Sequence, residues 1–354
     1  MRAATIGTGR ISAEHLGFLQ RSTLADLVAV CDLSPIAAAY HAEQFGAASH
    51  YMDYETMLRE VQPDVVHVLT PPRTHCEIAG MCLRAGAHVI CEKPLALTSQ
   101  ECGDLLSLAR EHDRIVIEDQ NYRFNEPVLE LSRQIADGVL GDICEVDVRL
   151  SLPIRESGRY ADPNLPHPSH SLPAGAIHEF ITHLCYLVDH FLPGQTHETR
   201  SDEVTAQWRN RCGGDLFRYD DLEAVIARGD ALGRIRFECR GKPNHFLITV
   251  YGTKVSAHVD LFSPCIRLQR HARQPEKLTS VLNQWCDGRT LKRAALRNLR
   301  DKIVQRTPYE GLHTFLYRSY MALTSNSLRP VTDEEMKRTM RLTELLLAQR
   351  PGLS

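Results

Sequence analysis

From Met1 to about Asn121 the chain alternates short apolar runs with longer stretches of helical period, and no other feature restricts its fold as much. The runs "AATIG", "LVAVC", "DVVHVLT", "HVICE" and "RIVIED" are rich in valine and isoleucine and lack polar alternation. A strand that is apolar on both sides must be covered on both faces, which is the mark of a parallel sheet. Segments such as "SAEHLGFLQRS" and "HCEIAGMCLRAGA" have the period of the covering helices. The expectation for this part is a doubly wound α/β domain.

After Asn121 the pattern changes. A helical segment around "NEPVLELSRQIADG" is followed by "DICEVDVRLSL", which alternates as a half-exposed strand should, and by similar runs at "RIRFECR", "HFLITVYGT" and "VSAHVDLF". Strands without regular intervening helices indicate an α+β domain on an open, mainly antiparallel sheet. Ala176–Leu192 reads as a helix preceded by the loop "ADPNLPHPSHSLPAG", and two helices close the chain, the last with Thr332 as N-cap. Residues 1–121 and 122–354 are the expected domains, with packing of the C-terminal helices back on the first domain left open, a division that 354 residues can support.

Composition narrows the function classes. A net charge of −3 argues against general attraction to nucleic acid. No window is apolar enough for a membrane span and the first residues carry no leader pattern, so a cytoplasmic location is expected. Eleven cysteines are scattered without a C-x-x-C pair and read as reduced core thiols. The segment Arg289–Arg306 has seven basic residues against one acidic; as a helix it would carry an apolar strip through Leu291, Ala295, Leu299 and Ile303. A solvated or oligomer-contacting face is the expectation there, with binding of an anionic substrate, a partner or a membrane surface as the minority reading.

The stretch "ATIGTGRIS" places Gly7 and Gly9 between the first strand and the first helix. In a Rossmann dinucleotide fold the first glycine permits the tight turn and the second lets the backbone approach a pyrophosphate at the helix N-terminus. Ser12 stands where a third glycine is usual. Asp32 ends the second strand at the distance expected of a carboxylate that binds a ribose diol, and Leu33 and Ser34 after it offer no cation for a 2′-phosphate. The cofactor expected is NAD rather than NADP, with Gly7, Gly9, Arg10, Ile11 and Asp32 around it. Ligands in such sheets lie beyond the carboxyl ends of the strands, where Thr70, Pro71, Thr74 and His75 follow one strand and Glu92 and Lys93 another. Lys93 could hold a substrate oxygen, with Pro94 fixing the backbone that aims it; position alone leaves a helix-capping ion pair equally open. His75 reads as a helix-terminal or cofactor-edge residue rather than a base.

"GTGRISAEH", "CD", "TPPRTHCEIAGMCLRAGAHVICEKPLALT" and "NYRFNEP", with "VYGTKVSAHVDLFSP" and "PVTDEEMKRTMRLTELLLAQ", resemble segments of the Gfo/Idh/MocA family of nicotinamide-dependent oxidoreductases. The resemblance implies a Rossmann domain followed by an open-sheet domain, a sugar or polyol substrate, and homodimers or homotetramers. The family's second signature, paired glycines, an aspartate and then a histidine four residues on, corresponds here to Ala174, Gly175, Glu179 and His183. Residues four apart on a helix are about 40° apart around its axis, so Glu179 and His183 share a face.

The activity implied is hydride transfer between the nicotinamide and a secondary carbinol of a sugar, inositol or nucleotide-sugar. His183 would accept the hydroxyl proton, Lys93 would polarise the oxygen and Glu179 would hold His183. Tyr122 and Arg123 are expected to line the substrate cleft, Arg123 in a mainly structural role, and Thr70, Pro71, His75 and Glu92 the cofactor site. An NAD-dependent glycoside hydrolase or lyase using transient oxidation and elimination is the alternative on the same scaffold, and a non-catalytic NAD-binding protein the third. No metal is expected. His178 and His183 are five apart, which fails the zincin spacing, and a looser set of His167, His170, Glu179 and His183 is the minority reading.

Overall fold

A computed structural model describes residues 1–155, 160–162, 172–194, 202–211, 213, 217–271, 276–304, 309–325 and 327–352. They form two compact units: residues 1–121 with 309–344, and residues 122–308 with 345–354.

The first unit begins with β1 (Arg2–Ile6), α1 (Ser12–Arg21), β2 (Asp26–Cys31), α2 (Pro35–Phe45), β3 (Ser49–Tyr51) and α3 (Tyr54–Val61). It continues with β4 (Val65–Val68), α4 (His75–Arg84), β5 (His88–Cys91), α5 (Ser99–Glu111) and β6 (Val116–Glu118). The sheet is parallel in the order β3-β2-β1-β4-β5-β6, so the strand order reverses between β1 and β4. Ala3, Ala4, Val65, Val66, Val89 and Ile90 have no exposed surface. That two-sided burial is why these strands read as continuous apolar runs. The helix ends carry the usual devices: Ser34 caps α2 ahead of Pro35, Gly46 closes it, and Thr98 with Glu101 forms a capping box on α5.

The second unit contains α6 (Glu126–Ala136), β7 (Ile143–Ser151), α7 (Ala176–Phe191), β8 (Glu203–Arg209), β9 (Asp221–Arg228) and β10 (Ala231–Glu238). β11 (His245–Gly252), β12 (Val255–Asp260), β13 (Cys265–Arg270) and α8 (Glu276–Ile303) follow. Its seven strands lie in the order β13-β12-β11-β7-β10-β9-β8. Every pairing is antiparallel except β7 with β10. On β7, Val146, Val148 and Leu150 are buried while Glu145 and Arg149 are not, the alternation of a sheet with one covered face. α7 packs on β7 and β10, and nearly all of its side chains are buried.

α9 (Glu310–Ser325) belongs to the first unit, and α10 (Asp333–Ala348) begins there. Thr332 and Glu335 make the reciprocal capping box expected of the last helix. α8 differs from its sequence expectation. It starts at Glu276, well before Arg289, and its outward apolar face runs through Leu278, Val281, Leu282, Trp285, Leu296, Leu299 and Ile303. The reason is tertiary: polar residues of the helix face the edge strand β13, which turns the apolar side out.

Candidate functional site

At the carboxyl end of β1 the chain turns through Gly7, Thr8 and Gly9 into α1. Gly7 has φ +98°, and a Cβ there would stand 2.8 Å from the Leu69 carbonyl, so only glycine fits. A Cβ on Gly9 would meet no protein atom within 4 Å, leaving the backbone open on the side from which a pyrophosphate approaches. Ser12 is fully buried, and its hydroxyl donates to the Gly9 carbonyl at 2.7 Å, which explains how a serine replaces the third glycine. The N-cap Ile11 offers no side-chain acceptor to the first amides of α1, as an anion-binding terminus requires. Asp32 Oδ2 accepts from the Thr8 amide at 2.8 Å and its hydroxyl at 2.7 Å, while Oδ1 accepts from the Ser34 amide at 2.9 Å. The carboxylate is thus fixed beside the glycine turn, and Oδ1, which accepts once, still has lone-pair capacity for a ribose hydroxyl. These residues fit a dinucleotide.

The segment carrying Lys93 follows β5 and is held from several directions. The Leu95 amide donates to Glu118 Oε1 at 2.8 Å, and the Leu97 amide to Glu101 Oε2 at 2.9 Å. His75 contacts the Pro94 carbonyl through Nδ1 at 2.8 Å and the Thr70 carbonyl through Nε2 at 2.7 Å. Its ring is fully buried, and burial holds its pKa below the usual imidazole value even though the two carbonyls pull upward. The sequence read His75 as a helix-terminal or cofactor-edge residue, and it is the first residue of α4. Its ring lies between the Thr70 and Pro94 carbonyls, and as a neutral imidazole it donates to one of them, packing the two loops against each other beside Lys93. Thr74 bonds the Thr70 hydroxyl at 2.8 Å and the Pro71 carbonyl at 2.9 Å, firming the same loop.

Glu92 faces a buried polar chain that sequence reading missed. His15 Nε2 lies 3.5 Å from Glu92 Oε1 and 3.8 Å from Asp119 Oδ2. His15 Nδ1 meets His67 Nδ1 at 2.9 Å, and His67 Nε2 meets the Tyr320 hydroxyl at 2.9 Å. Burial pushes the Tyr320 phenol well up and the His67 imidazole well down, so Tyr320 keeps its proton and His67 is neutral. The two hydrogen bonds of the chain are consistent with Tyr320 donating to His67 and His67 donating to His15. Burial raises the Glu92 carboxyl, but His15, then the Lys93 charge, outweigh it and hold it at about 2. Asp119 is pushed well above the usual carboxylate range by burial and then by the Glu92 charge, so it holds its proton. His15, Glu92 and Asp119 offer donor atoms within 4.8 Å of one another, a set that could also take a divalent cation. The chemistry read from the protonation is a single buried anion, Glu92, next in the chain to the Lys93 cation.

In the second unit, α7 carries the histidine signature. Gly175 precedes it with φ +59° and ψ −140°, a conformation open essentially only to glycine, whereas the neighbouring Ala174 is simply buried. His183 Nδ1 lies 2.9 Å from the Tyr186 hydroxyl, which also accepts from the Tyr122 amide at 3.2 Å. With the ring proton on Nδ1, that hydroxyl oxygen accepts twice and Nε2 carries the lone pair of a base. The edge of the Tyr122 ring packs on His183 at 4.8 Å between centroids, and Phe246 backs Tyr122 at 4.9 Å. Glu179 Oε1 accepts from the Tyr160 hydroxyl at 2.9 Å. Tyr186 is therefore an orienting partner of His183 that the sequence reading overlooked, although its i+3 spacing on a helix was a visible signal. Arg123 is buried, and His167 and His170 lie outside the described residues.

Comparison with known proteins agrees with this geometry. The family described as "Oxidoreductase family, NAD-binding Rossmann fold" matches residues 1–120. The chain is 38% identical over 144 residues to D-glucoside 3-dehydrogenase of Escherichia coli (strain K12), covering 40% of this chain and 41% of that protein. It is 29% identical over 141 residues to myo-inositol 2-dehydrogenase of Thermotoga maritima (strain ATCC 43589 / DSM 3109 / JCM 10099 / NBRC 100826 / MSB8), covering 40% of this chain and 42% of that protein. The matched stretch thus spans about two fifths of these relatives' length. The fold extends further: the WlbA dehydrogenase from Bordetella pertussis, solved with NADH and UDP-GlcNAcA, superposes with a TM-score of 0.75 at 19% identity, over 98% of this chain and 94% of that one. The glycine turn, its tied Asp32 and the pinned loop of Lys93 are the residues through which the likeness has chemical meaning, and residues 1–120 match the oxidoreductase family with an NAD-binding Rossmann fold.

Proposed function

We propose that the protein is a cytoplasmic NAD-dependent dehydrogenase or ketoreductase that moves hydride between nicotinamide and a secondary carbinol of a sugar, inositol or nucleotide-sugar. The observation that carries this reading is Lys93 beyond the carboxyl end of β5, its segment held by His75, Glu101 and Glu118 in the same domain as the glycine turn tied to Asp32. Residues 1–121 hold the cofactor through Gly7, Gly9, Arg10, Ile11, Asp32, Thr70, Pro71 and Glu92, with His75 positioning the loops. Bound NAD supplies the hydride acceptor. The second unit, residues 122–308 with 345–354, supplies the substrate side and the contacts of a homodimer or homotetramer.

Lys93 hydrogen-bonds the substrate oxygen and favours its alkoxide character. His183 takes the hydroxyl proton at Nε2, held by Tyr186 at Nδ1 and shielded by the Tyr122 ring. Glu179 supports the positive charge that His183 gains, and Tyr122 and Arg123 shape the substrate pocket.

The test is a panel of sugars, inositols and nucleotide-sugars with NAD, watched for NADH. Turnover on at least one is expected, and His183→Ala should lower it by about a hundredfold or more while NAD still raises the melting temperature. A fully active His183→Ala variant would sink the assigned base.

A further inference from the structure

α8 is amphipathic the wrong way round for a helix packed on a sheet. Its inward face is polar. Asn283 pairs with both backbone groups of Arg270, accepting from the amide at 3.2 Å and donating to the carbonyl at 2.8 Å. Asp287 accepts from Arg267 at 3.3 Å and Gln269 at 2.9 Å, and Arg297 donates to the Pro264 carbonyl at 2.8 Å. The helix thereby covers β13, an edge of the sheet, by satisfying that strand's polar groups rather than by burying apolar surface.

The consequence is on the outward face. At about 100° per residue, Leu278, Val281, Leu282, Trp285, Leu296, Leu299 and Ile303 fall within an arc of about 100°. All are exposed, Trp285 by 60% and Ile303 by 71%. Arg289, Lys292, Arg293 and Arg300 lie on or beside the same arc, Arg289 stacking on the Trp285 ring at 4.6 Å, and no acidic residue falls among them. A contiguous apolar stripe of this size on a folded chain marks a surface that something covers.

We infer that α8 is an interfacial helix that lies on an anionic lipid bilayer. Charge decides the occupant. The basic residues sit near the middle of the stripe, so a second copy packed two-fold against it would set cation on cation. An anionic headgroup layer accepts both halves: the leucines, Val281 and Ile303 enter the acyl boundary, Trp285 sits at the headgroup level and the four cations meet lipid phosphates. No described helix is long and apolar enough to cross a membrane, so α8 lies on the surface. With a net charge of −3 for the chain, attraction is a property of this helix and not of the whole protein.

The test is flotation of the full-length protein with phosphatidylcholine vesicles and with vesicles containing phosphatidylglycerol, at low and high salt. Tryptophan emission is a second readout, because the other tryptophan, Trp208, is buried and Trp285 dominates any change on binding. Binding is expected only to the anionic vesicles, weakening with salt and accompanied by a blue shift. The Lys292→Ala/Arg293→Ala double variant should bind about thirtyfold more weakly, and Leu299→Glu should abolish the blue shift. Both changes are at the surface, and an unchanged NAD-induced thermal shift confirms the fold. Failure to float with anionic vesicles overturns the inference. So does equal binding to both vesicle types, or an oligomer that Leu299→Glu converts to monomer.

Discussion

Asp32 is held by its own turn before any ligand arrives, with Thr8 and Ser34 donating to it. Pre-organisation of this kind should make discrimination against a 2′-phosphate sharp, since the charge cannot swing away. NAD is expected to stabilise the protein more than NADP at equal concentration, and Asp32→Ala should narrow the difference by on the order of tenfold in affinity; greater stabilisation of wild type by NADP would refute this. His67 makes a different prediction. Its buried ring is kept neutral, with a folded pKa below that of the unfolded chain. The stability it contributes is therefore complete above about pH 6.5 and is lost as pH falls, because only the unfolded state takes the proton, at up to about 1.4 kcal/mol per pH unit. Asp119 runs the other way: its folded pKa is raised, so its contribution is lost as pH rises through that value. Melting curves of His67→Asn should show a flatter acid limb than wild type, and those of Asp119→Asn a smaller loss of stability as pH rises above about 4. Residue types at Gly7, Asp32, Lys93 and His183 were legible because each stands in a local motif. His67 and Tyr320 were not: 253 positions separate them, and no local pattern announces their contact.

Among the elements, α7 shows what a buried helix needs at its end. Asp189 near its last turn pairs with Arg228 of β9 at 2.8 Å, and Asp202 takes the same guanidinium at 2.8 Å. Burial lowers the arginine pKa, but the two carboxylates outweigh it and raise it. Removing the cation would leave two acids facing each other in a poorly hydrated site. Arg228→Met is expected to cost about 3–5 kcal/mol in denaturant unfolding, whereas removing an exposed pair such as Arg133 with Glu126 should leave the unfolding midpoint nearly unchanged. Comparable losses for both would show that the buried site is well hydrated. Element boundaries were readable where caps are strong, as at Thr332, and unreadable at α8, whose contacts with the edge strand β13 run through the polar side chains Asn283 and Asp287 rather than an apolar stripe.

For the whole chain, the second sheet has one face under α7 and another bearing Asp147, Arg149, Glu223, Arg234 and Arg236 around a shallow depression. Charges of both signs interspersed on a sheet face suit a self-complementary contact, and light scattering should give a mass about two or four times 39.9 kDa; a monomer at micromolar concentration would contradict the proposed homo-oligomer. By itself the sequence determined the class of each sheet, since two-sided and one-sided burial leave different periodicities. It also marked the glycine turn and offered Asp32, Lys93, Glu179 and His183 as candidates, since short motifs encode short-range geometry. Only the tertiary structure decided which partners hold those groups: Glu118 under Leu95, His75 between two loops, Tyr186 on His183, and His15 with Asp119 around Glu92. Those contacts satisfy buried polar atoms with whatever the fold brings near, and what the fold brings near is not written in any local stretch of chain. The same reason explains α8, whose apolar stripe was present in the sequence but whose outward direction was set by the polar edge of β13.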